Sequence, residues 1–158
     1  MRVVALACVA VGLSGCFSDP LGKPGSIPTD VRLLGSWRCV SVGESHQKEG
    51  ALKIMRFDDW QYYAEWKDAE EFARYRAYGN RIGDTTLLDV EELGGRFTPW
   101  PWAVVRANVG QDKKLALAIV KAKALGSADA KSVRREIRAR VHDPQIYQAL
   151  ADCTAESE

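Results

Sequence analysis

The chain is poor in the residues that carry chemistry. It has two histidines, His46 and His142, and four cysteines in 158 residues. His-Glu-x-x-His, a Gly-x-Ser-x-Gly elbow and a phosphate-binding glycine loop are all missing from the body of the chain, so no metalloprotease, serine-hydrolase or nucleotide signature is present. Gly79-Asn80-Arg81-Ile82-Gly83 reads as a turn. His46 sits in a polar loop, and His142 ends a helical segment where a cation suits the helix dipole. The acidic pairs Asp58-Asp59, Glu70-Glu71 and Glu91-Glu92 are adjacent residues, which a strand points to opposite faces, so they read as solvated surface. No metal site and no cofactor is expected, and the chain reads as non-enzymatic; a hydrolase with a dispersed catalytic set would escape this reading. Charge excess is also lacking, with 22 basic residues against 21 acidic. Nucleic acid is therefore not an expected partner.

What is present begins at the N-terminus. A single arginine, Arg2, precedes an apolar run over 3–13, and Leu13-Ser14-Gly15-Cys16 follows. The run is shorter than the roughly 20 residues of a spanning helix and suits the h-region of a secretory signal. Its ending resembles a bacterial lipobox. The resemblance implies a diacylglyceryl group on the Cys16 thiol, cleavage after Gly15 and acylation of the new amino terminus, for example with palmitate. It implies a membrane-anchored envelope lipoprotein. Phe17 stands where some bacteria place an inner-membrane retention aspartate, which favours the periplasmic face of the outer membrane over the inner membrane.

Removing residues 1–15 takes away one basic residue and no acidic one, leaving 143 residues with 21 charges of each sign. That length suits one domain. Cys8 leaves with the signal and Cys16 takes lipid, so Cys39 and Cys153 remain. Outside the cytoplasm such a pair usually joins; the alternative is two separated, buried thiols. Residues 16–32 hold the lipidated cysteine and a stretch with three prolines and two glycines, which reads as a tether. The folded domain is expected over 33–158.

Within it, seven short apolar or alternating segments lie between turn residues: 34–42, 51–57, 61–66, 72–78, 85–93, 102–109 and 115–125. Gly79-Asn80 is read as the turn after the fourth. The spacing predicts a mainly β fold, an antiparallel meander closing as a small barrel or sandwich. After 127 the alternation stops. Val133, Ile137 and Val141 recur every fourth residue as the apolar stripe of a helix, capped by Ser127 or Asp129. Asp143-Pro144 then predicts a second, short helix carrying Ile146, Tyr147 and Leu150. A Cys39–Cys153 bridge would pin these tail helices to the first strand. Lys131, Arg134, Arg135, Arg138 and Arg140 make the first of them basic, which reads as a solvated face.

Gly35-Ser36-Trp37 at the start of the first strand, the meander and the C-terminal helix resemble the lipocalin and calycin pattern. There the tryptophan plugs the closed end of the barrel, which gives Trp37 that role by resemblance, with Arg106 as one position for the arginine that packs on it. The family has eight strands where seven are read here. Trp60, Tyr62, Tyr63, Trp66, Phe72, Tyr75 and Tyr78 crowd two successive strands. Such rings either fill a small barrel, as its size favours, or line a cavity for a small apolar ligand, with Tyr62, Trp66, Tyr75 and Val105 as lining residues. Pro99-Trp100-Pro101-Trp102 reads as a barrel rim. The expected function is a lipid-anchored envelope protein that binds a small apolar ligand or is structural; the alternative is an interaction module docking an envelope protein by its aromatic rim.

Overall fold

Strands β2 (Gly35–Ser41), β3 (Glu49–Arg56), β4 (Gln61–Lys67), β5 (Phe72–Ile82), β6 (Thr85–Leu93), β7 (Trp102–Val109) and β8 (Lys114–Val120) each pair antiparallel with the next. Helix α1 (Ala130–Arg140) follows, and then strand β9 (Tyr147–Ala155) pairs with both β8 and β2. The sheet thereby closes into an eight-stranded, lipocalin-like barrel. A two-residue strand β1 (Cys16–Phe17) adds to β7. This is a computed structural model, and it describes residues 16–42, 47–94, 102–125 and 129–156. The expected signal over residues 1–15, His46, Ser127 and the stretch Pro99-Trp100-Pro101, read from sequence as a rim, lie outside the described residues.

Alternation in the strands builds two cores. Along β7, Ala103, Val105 and Ala107 face the interior. Trp102 and Val104 face outward, joining Tyr78, Ile82, Leu87 and Val120 under the helix residues Val133 and Ile137. One wall is thus apolar on both faces, which is why it carries α1. Asp129 caps the helix, its carboxylate accepting from the Ser132 amide at 3.0 Å.

Four sequence expectations change. The second tail helix is one 3-10 turn, Pro144–Ile146, and the chain from Tyr147 is the eighth strand. Asp143 and Pro144 do start a helical turn, but the free edges of β2 and β8 offer the next nine residues a full set of backbone partners. The irregularity between Ala149 and Ala151 hides its alternation. The Cys39–Cys153 disulfide consequently joins the first and last barrel strands, where the two are register partners, rather than pinning helices.

Gly79-Asn80 is no turn, since β5 continues to Ile82. Glycine is needed there because a Cβ would stand 2.9 Å from Cβ of Ile27. That contact exposes the third change: the stretch read as a tether is packed down. Phe17 and Leu21 are buried, Ser26 donates to the Gly79 carbonyl at 3.5 Å, and the Thr29 amide donates to the Asp59 carbonyl at 2.9 Å. Residues 17–30 form a strap along the outside of the barrel. Finally, the basic helix face is not wholly solvated. Arg134 donates to the carbonyls of Leu21 and Arg81 at 3.1 and 2.8 Å, and Arg140 donates to the Ala124 carbonyl and to Asp143.

Candidate functional site

The barrel interior holds a cavity of about 380 Å³. One end is closed from below. A 3-10 turn, Val31–Leu33, precedes β2 and buries Leu33 at the barrel bottom. Trp37 is 3% exposed, and its Nε1 donates to the Leu33 carbonyl at 3.0 Å, locking turn and strand together. The Tyr62 hydroxyl accepts from the Asp30 amide at 2.6 Å, and burial pushes its pKa up. Arg106 does not pack on Trp37. Its guanidinium lies 4.0 Å from the centre of the Tyr147 ring, outside the barrel, where Tyr147 belongs to the outer core. The shift follows from register: Arg106 alternates with the inward Val105 and Ala107, so it faces out.

The wall explains why space is left. Tyr62, Trp66, Tyr75 and Val105, the four residues named from sequence, all line the cavity. The same lining carries Ala64 and Ala77, the register partners of Tyr75 and Tyr62, together with Ala103, Ala107 and Ala151. Each small side chain forgoes volume that a leucine would fill, so the rings line the interior without filling it. The aromatics drew attention in the sequence; the alternating alanines were the missed signal. Gly50 has a related role, because a Cβ there would run into the Trp66 ring.

At the other end the lining residues are Ser41, Trp66, Glu92 and Leu150. Trp66 Nε1 donates to Asp68 at 3.2 Å. Among the described lining residues Glu92 alone carries a carboxyl group, and burial together with Asp68 and Glu92 raises the pKa of neighbouring Glu71. The cavity is apolar with an acidic mouth. The other acidic pairs are structural: Asp58 accepts from the amides of Trp60 and Gln61, both at 2.7 Å, and Glu91 pairs with Arg76 at 2.7 Å. His142 Nε2 lies 3.1 Å from Asp84 at the surface.

A second buried polar cluster lies under the strap. Asp89 is 1% exposed; its Oδ2 accepts from the Gly22 amide at 3.0 Å and from Asn80 Nδ2 at 2.6 Å. Tyr78 donates to the Gly22 carbonyl at 3.0 Å. Burial raises the Asp89 pKa to about 6, against the opposing pull of the Leu21 and Gly22 amides, Arg134 and Asn80. The folded chain holds this proton more tightly than the unfolded one, so the group's stabilising contribution is complete below pH 4 and is lost as pH rises to about 6. The loss is on the order of 2–3 kcal/mol. Urea unfolding of wild type and Asp89→Asn between pH 4 and 7 checks this: the wild type should lose that much relative to the variant, and parallel profiles would refute it.

No family model, curated protein or solved structure matches the chain.

Proposed function

We propose that this chain is a lipid-anchored cell-envelope protein whose barrel binds a small apolar ligand and that it is not an enzyme. The observation that carries the reading is the cavity of about 380 Å³, walled by aromatic rings and alanines, within the size range of small-molecule sites. The anchor rests on Leu13-Ser14-Gly15-Cys16, and Phe17 after the cysteine favours the periplasmic face of the outer membrane. Glu92 at the mouth disfavours a ligand with an acidic end and suits a neutral or cationic one.

The test is binding of a fluorescent apolar dye at one site per chain. Ala64→Phe, which puts a ring into the cavity, should weaken it by roughly 100-fold, about 3 kcal/mol. Dodecylamine should displace the dye at lower concentration than dodecanoate. Unchanged dye binding in a folded Ala64→Phe variant would sink the ligand reading.

A second reading has its own observation. Val31, Phe57 and Trp60 are 63%, 67% and 39% exposed, all three at the closed end, and exposed apolar groups there suit a protein partner. It expects an empty cavity in protein taken from its own membrane and a reproducible cross-link at Phe57.

A further inference from the structure

We infer that the mouth of the barrel is the membrane-facing surface, so that the partner of this end is the bilayer itself and the cavity exchanges its occupant with lipid. The inference rests on lipidation of Cys16. It follows from where that residue is fixed.

Strand direction defines the mouth. β2 ends there at Ser41, β4 at Lys67 and β6 at Leu93, while β5 begins there with Phe72 and β7 with Trp102. Cys16 is the register partner of Ala103, a cavity-lining residue one position into β7, and Phe17 is the partner of Trp102. The acylated residue is therefore built into the barrel rim. The opposite end, with Leu33, Phe57 and the turn between β3 and β4, lies a full strand length away.

Slack would uncouple anchor from orientation, and the strap removes it. From Phe17 the chain leads away from the mouth, held at Gly22 by Asp89, at Ile27 over Gly79, at Thr29 by Asp59 and at Asp30 by Tyr62. It reaches the closed end before turning into β2. A free linker of that length would let the domain tumble above the surface. Here the backbone of Cys16 is itself paired at the rim, so a lipid carried by this residue starts there. The glycerol must lie at the headgroup level, so the rim lies there as well.

The mouth carries suitable residues. Phe72 is 57% exposed on it, and Leu150 combines 37% exposure to solvent with a place in the cavity lining. Exposed apolar side chains on an anchored rim add their own burial to the attraction of the surface. Leu150 in particular joins the exposed rim to the cavity lining.

Phe72 and Phe57, one exposed at each end, give a matched test. Each is replaced in turn by the photoreactive analogue benzoylphenylalanine in the full, mature protein, reconstituted in vesicles of phosphatidylethanolamine and phosphatidylglycerol. After irradiation, phospholipid adducts are weighed by mass spectrometry. The expected result is at least tenfold more adduct at position 72 than at 57. The mass of the N-terminal peptide is read from the same sample. An acylated Cys16 with equal adducts, or with an excess at 57, overturns the orientation and leaves the anchor standing. An unacylated Cys16 overturns both.

Discussion

A Cys39→Ala/Cys153→Ala double variant unfolds with about 4–5 kcal/mol less free energy than the wild type. The bridge spans 114 residues, and the chain-entropy model gives that value for a loop of this length before any relief of native strain. Total stabilities of 5–15 kcal/mol make it a large share. Its position sharpens the effect. β2 and β9 are the first and last strands of the barrel, and their five register pairs are the seam that closes the sheet. Without the bridge the seam depends on hydrogen bonds and on the packing of Cys39 and Cys153 among Trp37, Leu52 and Leu115. Replacement by alanine rather than serine keeps unpartnered hydroxyls out of that core. Equilibrium urea unfolding of the oxidised wild type and the variant measures the difference; a loss under 1 kcal/mol would show that the seam holds by itself.

Trp37→Ala is the second large effect, at roughly 3–5 kcal/mol. The indole is buried, fills the bottom of the barrel beside Leu33, Leu52 and Leu115, and donates its N–H to the Leu33 carbonyl. Truncation leaves a void and an unmatched carbonyl together. Trp37→Phe separates the two contributions, since it keeps much of the volume and removes only the donor, for about 1 kcal/mol. A thermal melt of Trp37→Ala within a degree of wild type would show that the closed end is not built on this residue.

Much of the barrel was legible because period-2 alternation survives in strands with one polar face. β3, β4 and β6 alternate in sequence and were recognised near their true limits. β9 was not, because its core positions are Ala151 and Cys153, both small, and the register slips after Ala149. Helix signals at Asp143-Pro144 were real and merely ended after one turn. The strap was illegible for a different reason: prolines and glycines describe how a chain bends, while its docking depends on Asp89 and Arg134, far away in sequence. Of the candidate site, the rings were found and the alanines overlooked, since a cavity is made by what is small as much as by what is large.

The late placement of β9 also bears on how the chain is made. Barrel closure needs β9, and until Tyr147–Ala155 has emerged from the ribosome neither β2 nor β8 has its second neighbour. Every earlier state of the nascent chain is an open sheet with two bare edges. A chain of this design has no closed barrel until β9 is made, and the Cys39–Cys153 bridge across the seam forms only where the compartment is oxidising. Deleting the terminal strand would therefore leave an open, aggregation-prone sheet rather than a slightly smaller barrel.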